Sequence, residues 1–260
     1  MKVSIKLLKK TIFFFILILS VLCFWTLVVA VFEPEPWLLP TPVMVWNRFL
    51  ELSGNGSLLS HTGITLTEII VGYLLGISAG LVTGYPVSQV RAIEKIITPY
   101  LIAGNSVPLV AFAPLLMLWL GNGIMTKIIV TAIIVYLPMT INTIAGFHTQ
   151  KPILKRLMRT LRASKWQRFI YIEIPTALPG IIAGMKIGAP LAVVGAVVGE
   201  FLGTGEGLGH LILEANGLLD TSQLFVAIWI LALIGIGFFT FIQLLDWVVL
   251  GSWNQRRQKR

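Results

Sequence analysis

The chain of 260 residues is 56% hydrophobic and only 12% charged, with a mean hydropathy of +0.88, which excludes an ordinary soluble globular domain. Its formal charge of +9 does not point to nucleic acid: seventeen of the twenty Lys and Arg fall at the start, at Arg91 and Lys95, between 151 and 168, and at 256–260. One cysteine, Cys23, excludes an intrachain disulfide, and His61, His148 and His210 have no metal-ligand spacing.

A hydrocarbon core about 30 Å thick takes roughly 20 apolar residues per helix. Six such runs follow in order, at 11–32, 62–86, 100–120, 124–147, 177–199 and 223–250. The expected fold class is therefore an all-α integral membrane protein with six transmembrane helices in one membrane domain over 1–260. Lys2, Lys6, Lys9 and Lys10 precede the first run, which is too long for the apolar region of a secretory signal and lacks an A-x-A site, so it is expected to be retained as a span. Six crossings put the four basic places on one side. By the positive-inside rule that side is cytoplasmic, with both termini inside and a cytoplasmic loop over 148–176. Arg48 and Lys127 fall on the other side beside Glu33, Glu35, Glu51, Glu206, Glu214 and Asp220.

After the first run, "EPEPWLLPTPVMVWNRFLELSGNG" begins with prolines and then places Val43, Trp46, Phe49 and Leu50 at helical spacing, predicting a short amphipathic helix at the outer interface. In the second run Gly72, Gly76, Gly80 and Gly84 share one helix face. Gly184, Gly188, Ala192, Gly195 and Gly199 form a similar stripe in the fifth, and both read as close helix packing. Asn105, Ser106 and Pro108 interrupt the third run, Thr140 and Asn142 the fourth, and Glu200 ends the fifth. These are candidates for a solute path, with interhelical hydrogen bonding as the alternative. Glu68 and Asp246 are placed to reach an interface or another helix, and Lys186 to snorkel. "GTGEGLG" at 203–209 matches no phosphate-binding pattern and reads as a turn-rich connection.

The segment between the fourth and fifth runs resolves into two short helices. Ile153, Leu154, Leu157, Met158 and Leu161 face one way, and Lys151, Lys155, Arg156, Arg159 and Arg162 the other. Ser164 with Gln167 is a capping-box pattern that opens a second helix bearing Trp166, Phe169 and Ile170 on one face. Pro175 is expected to stop this helix and Pro179 to help start the next span. Composition alone supports either a loop held to anionic headgroups or a docking elbow for a cytoplasmic protein.

"RTLRASKWQRFIYIEIPTALPG" resembles the EAA loop of ABC importer permeases, E-A-A-x-x-x-G, nine residues, then I-x-L-P. Ile172, Ile174 and Pro175 occupy its end, at the family's distance from Arg162 in the glycine position. "WLLPTPVMVW", "TLTEIIVGYLLGISAGLVTGYPV", "VPLVAFAPLLMLWLGNGIMTK", "LPMTINTIAGF" and "VVGEFLGTGEGLGHLI" are similar, in the same order, to segments of the nitrate, sulfonate and bicarbonate branch. Two features depart from the pattern: Arg156, Leu157 and Met158 replace the E-A-A triplet, and Arg162 replaces the glycine.

The resemblance implies a type I ABC importer permease in the bacterial inner membrane. Its implied partners are a second permease subunit, identical or paralogous, a cytoplasmic ATPase dimer and an extracytoplasmic solute-binding protein. It implies no enzyme activity and no cofactor on this chain, ATP and magnesium being held by the ATPase. The loop, including Arg162 and Ser164, becomes a coupling element that docks the ATPase, with Trp166, Phe169 and Ile170 expected as anchors, Arg159, Lys165 and Arg168 as steering charges, and Pro175 and Pro179 fixing the lever's angle. The implied solute is a small sulfonate, nitrate or taurine-type anion, with a pyrimidine or other vitamin precursor as the alternative. A secondary transporter would need intramembrane coupling groups that are scarce here, and no constellation of acid, base, nucleophile or metal ligands supports a membrane enzyme.

Overall fold

The computed structural model describes residues 2–150, 152–203 and 205–258, which form helices and connections without a strand. The helices are α1 (Lys2–Phe32), α2 (Pro42–Gly54), α3 (Ser57–Gln89), α4 (Arg91–Ser106), α5 (Ala113–Leu120), α6 (Ile124–His148), α7 (Pro152–Thr160), α8 (Lys165–Arg168), α9 (Ile174–Leu202), α10 (Leu208–Gly217) and α11 (Thr221–Gln258). Four helical stretches are long and apolar enough to cross a bilayer: Ser57–Gln89, Ile124–His148, Lys165–Leu202 and Thr221–Val249. Leu19–Phe32 is a shorter apolar helix. Two compact units are distinguished. One holds the chain up to Ser60 with Leu211–Trp229, and the other holds His61–His210 and the chain from Ile230 onward.

In the first unit, Thr41 caps α2 by accepting from the Met44 N–H at 3.2 Å, and Pro42 supplies a first residue already suited to helix. Val45 and Leu52 are buried, whereas Val43, Trp46 and Leu50 turn outward as an exposed apolar face. Arg48 pairs with Glu51 at 2.7 Å and Asp220 at 2.9 Å and donates to Gln223 Oε1 at 2.8 Å. The hydrogen bond to Glu51 and the charge of Asp220 hold its pKa above the ordinary value. Trp25 stacks on Phe225 with ring centres 5.2 Å apart.

The second unit is organised around α6, which two glycine-lined helices approach closely. A Cβ on Gly72, Gly76, Gly80 or Gly84 of α3 would come within 2.5 to 2.8 Å of Thr131, Ala132, Met139 or Thr143 of α6. From α9, Gly184 faces Met139 and Asn142, Gly188 faces Val135, Gly195 faces Thr131 and Gly199 faces Lys127. Backbones this close gain dispersion contacts and exclude lipid, the form of attraction left to helices when their solvent is as apolar as leucine. Ile69, Tyr73 and Ile77 of α3, Val135 and Met139 of α6, Ala189, Ala192 and Ala196 of α9, and Ile242 of α11 close the core. Tyr73 satisfies its hydroxyl by donating to the Met185 carbonyl at 2.9 Å.

The interruption expected at Pro108 is present, and the stop expected at Pro175 is corrected. The run at 100–120 is not one helix: α4 ends at Ser106, a 3-10 turn spans Leu109–Ala111, and α5 begins at Ala113. Pro108 removes a backbone donor and holds Val107 in extended geometry, at φ −80° and ψ 128°. Conversely, Pro175 does not stop the helix before it. A π turn over Phe169–Glu173, closed by the Ile174 N–H on the Phe169 carbonyl, widens the helix and carries it into α9 with Pro175 in the first turn. The elbow's second arm is thus the head of α9.

Candidate functional site

The elbow is built from α7, a tight turn, and the continuous α8, π turn and α9. The turn is a Schellman closure: Ala163 N–H donates to the Met158 carbonyl and Arg162 N–H to the Arg159 carbonyl, each at 3.0 Å. Arg162 stands in the left-handed region at φ 49°. The chain therefore keeps at Arg162 a backbone conformation that glycine adopts without strain, at a cost of roughly 1–2 kcal/mol for a residue with a side chain. Ser164 then caps the second arm. Its hydroxyl accepts from Gln167 N–H at 3.1 Å while Gln167 Oε1 accepts from Ser164 N–H at 2.8 Å.

Glu173 fixes this arm to α3. Its fully buried carboxylate accepts from Arg168 Nε at 2.7 Å, Tyr85 hydroxyl at 3.1 Å and Gln89 Nε2 at 3.4 Å. Residues five apart do not face each other on an α-helix, and the π turn is what brings 168 and 173 together. Phe169 lies between Trp166 and Tyr85, with ring centres 5.7 and 5.0 Å apart. Trp166 is 68% exposed and Ile170 38%. Arg156, Arg159, Arg162 and Lys165 are exposed around them, as are Ile153, Leu157 and Leu161 of α7. Of the residues expected to dock or steer, Phe169 and Arg168 also make contacts within the chain.

At the other end of α9 a second buried carboxylate organises the loop at 203–209. Glu200 accepts from the Thr65 hydroxyl at 2.5 Å and the Gly209 N–H at 2.6 Å, and Thr65 in turn accepts from the Leu208 N–H at 2.8 Å. Gly207, at φ 108°, leaves room that a Cβ would take from Glu200 Oε1. The glycine string thus cradles a carboxyl group, one supplied by its own chain. Lys127, assigned from sequence to the side opposite the basic loops, is buried in α6. It donates to the Glu206 carbonyl at 2.9 Å and lies 3.3 Å from Glu68 Oε1, out of line for a hydrogen bond. His61 Nδ1 accepts from the Gly207 N–H at 3.0 Å. Sequence reasoning found Glu200 but not Thr65, Gly207 or Gly209. Their only signal was a glycine string following a carboxylate.

The expected path residues do not converge on one cavity. Thr140 is buried against Gly80 and Gly84, and Asn142 donates to the Pro138 carbonyl at 2.8 Å beside Gly184. Ser106 donates to the Ile102 carbonyl at 3.0 Å and is exposed, as is Pro108. Asn105 lines a cavity of about 180 Å³ with Val107, Leu137 and Leu191. Lys186 pairs with Asp246 of α11. Among the described residues no cluster of His, Cys, Asp and Glu is arranged to hold a metal.

Residues 72–249 match the family described as the binding-protein-dependent transport system inner membrane component. The formylaminopyrimidine transport permease protein ThiX of Halalkalibacterium halodurans is 33% identical over 257 residues, 99% of this chain and 100% of the relative. The riboflavin transport system permease protein RibX of Chloroflexus aurantiacus is 37% identical, over 88% of this chain and 85% of the relative. The aliphatic sulfonates transport permease protein SsuC of Bacillus subtilis, a putative assignment in its own name, is 30% identical over 87% and 82%. A crystal structure of an amino acid ABC transporter with histidines shares the fold, with a TM-score of 0.61 at 16% identity, covering 76% of this chain and 97% of that one. With four helical stretches of membrane-crossing length and a match over most of its residues, the chain belongs to the binding-protein-dependent transport system inner membrane component family, as a multi-pass permease component of an ABC importer rather than an enzyme.

Proposed function

We propose that the chain crosses the inner membrane six times as a single permease domain with both termini in the cytoplasm, and pairs with a second permease subunit. The elbow at 148–176 docks a cytoplasmic ATPase that holds ATP and magnesium. The observation that carries this reading is the contrast within the elbow: Glu173, Arg168, Tyr85 and Phe169 hold its second arm rigid, while Trp166 is left exposed on it. A large aromatic presented on a fixed element is the kind of anchor that carries binding energy at protein interfaces. Trp166 and Ile170 form the docking face, with Arg159, Arg162 and Lys165 as its charged rim. Phe169, Arg168, Ser164 and Pro175 set its angle. Closure of the ATPase dimer moves the elbow, α9 turns with it, and the membrane path opens to solute from an extracytoplasmic binding protein. The coupling requires that the elbow bind the two ATPase states unequally. Asn105, Ser106 and Pro108, at the break between α4 and α5, are the path-lining candidates. Thr140, Asn142 and Glu200 serve helix packing.

For the solute, a small heteroaromatic vitamin precursor leads over a sulfonate-type anion. Of the cations in the crossing stretches beyond the elbow, Lys127 is buried against Glu68 and the Glu206 carbonyl and Lys186 pairs with Asp246, so neither is offered to an anionic solute. Relatives named for a formylaminopyrimidine and for riboflavin add support. A sulfonate or taurine is the second reading, favoured by relatives named for those solutes.

Capture of the co-expressed ATPase tests the docking face. Trp166→Ala is expected to weaken capture about tenfold without lowering thermal stability, whereas Phe169→Ala lowers stability as well. Wild-type capture by Trp166→Ala would place the docking face elsewhere. Stimulation of the reconstituted ATPase by binding protein loaded with formylaminopyrimidine, riboflavin or taurine decides the solute.

A further inference from the structure

The N-terminus of α4 carries charge of the wrong sign for a helix. Arg91 and Lys95 occupy its first turns, where the helix dipole favours an anion, and Val90 provides no side-chain cap. Neither cation pairs with a carboxylate among the described residues, and Glu94 beside them lies 3.3 Å from His148 Nε2. The mouth is therefore net positive. The same helix face continues through Thr98, Pro99, Ile102 and Ala103, and together these residues line a groove of about 720 Å³. It runs about 18 Å along α4, at 1.5 Å per residue, from a charged end to an apolar one.

A second cavity of about 290 Å³ shares Arg91 and His148 with the groove and is also lined by Gln150. Among the described residues, two buried polar atoms in these walls have no hydrogen-bond partner, Thr98 Oγ1 and Gln150 Oε1, and Gln150 is only 8% exposed. An orphaned buried acceptor is costly unless something donates to it.

We propose that this groove binds one anionic phospholipid. Its phosphodiester sits between Arg91 and Lys95 at the α4 N-terminus, a hydroxylated headgroup such as glycerol donates to Gln150 Oε1, and an acyl chain lies along Pro99, Ile102 and Ala103. Charge selects the anion, the orphaned carbonyl selects a headgroup with donors, and the apolar floor selects a lipid over free phosphate. Basic pockets at the ends of membrane helices are suited to such headgroups, each cation contributing about 1 kcal/mol.

The test is native mass spectrometry of the permease purified with its ATPase and exchanged into nanodiscs of one part phosphatidylglycerol to three parts phosphatidylethanolamine. One phosphatidylglycerol per permease chain is expected to survive stripping. Arg91→Ala with Lys95→Ala should lower its retention about thirtyfold, the value of two such cations. Gln150→Leu, which keeps both charges, should lower it severalfold. Lys155→Ala with Arg156→Ala removes equal charge from the elbow and should retain the lipid. If the double groove variant does not assemble, Lys95→Gln and Gln150→Leu carry the comparison.

Retention of both lipids in proportion to the bilayer, or equal retention by the groove and elbow variants, overturns the proposal. So does displacement of the lipid by millimolar glycerol phosphate, which would make the mouth a site for a free anion. A bismaleimide crosslink between two copies carrying Lys95→Cys in a Cys23→Ser background would make the groove a subunit seam, and would overturn it too.

Discussion

Helix α9 carries a fully buried carboxylate near each end, and the two are satisfied differently. Glu173 is met by a guanidinium, a phenol and an amide, with Arg168 still one-third exposed. Glu200 is met by a hydroxyl and a backbone N–H in a glycine cradle, while Lys127 donates to the Glu206 carbonyl and lies beside Glu68. Both carboxylates tie α9 to α3, through Tyr85 and Gln89 at one end and Thr65 at the other. The first latch is charge-compensated and reaches the surface; the second is sealed. Losing a partner therefore has different consequences: the sealed latch leaves unpaired groups in the interior, and the open one releases an elbow.

The largest expected effect is at the sealed latch. Gly207→Ala pushes a methyl onto Glu200 Oε1 in a left-handed conformation, and should cost about 3 kcal/mol, read as loss of monodisperse protein on heating in detergent. A wild-type melting profile would mean that the cradle relaxes freely. Next, Glu200→Ala orphans the Gly209 N–H and leaves the Thr65 hydroxyl only the His61 carbonyl to donate to, for about 2 kcal/mol. Its double-mutant cycle with Thr65→Val should show coupling, and strict additivity would deny the latch. At the open end, Glu173→Gln keeps acceptors for Tyr85 and Gln89 but removes the anion facing Arg168. Because that arginine is part-exposed, about 1 kcal/mol of stability is at stake, while ATP-driven uptake should fall several times further than stability explains. Equal losses in both readouts would make Glu173 a stabilising group with no part in coupling. The smallest effect is Arg162→Gly. Relief of left-handed strain is partly offset by the greater freedom of glycine in the unfolded chain, leaving about 0.5 kcal/mol of stabilisation. Destabilisation would reveal that the arginine side chain gains more than its backbone costs.

These regions also differ in how far the sequence disclosed them. The glycine stripes of α3 and α9 and the Ser164 capping box are patterns of neighbours on one helix, where a fixed period links spacing to a shared face. The break between α4 and α5 was visible in Pro108, since a missing donor acts whatever surrounds it. Thr65 and Glu200 are 135 residues apart, and no local period relates them. The glycine string showed that something would be cradled without showing that it is the chain's own carboxylate. Pro175 misled for a related reason. Its ring disfavours an ordinary α turn before it, and a widened turn was a solution that local propensity does not signal. That same turn engaged Arg168, which spacing alone had left free.

The widened turn also sets how the elbow is aimed. At 3.6 residues per turn each residue accounts for about 100° of rotation, so one residue accommodated between Phe169 and Ile174 fixes the azimuth of Trp166 relative to everything after Pro175. The linkage works as a spline rather than a tether. Inserting or deleting one residue there would barely lengthen the connection, but would swing the aromatic face about a quarter of a circle away from whatever it meets.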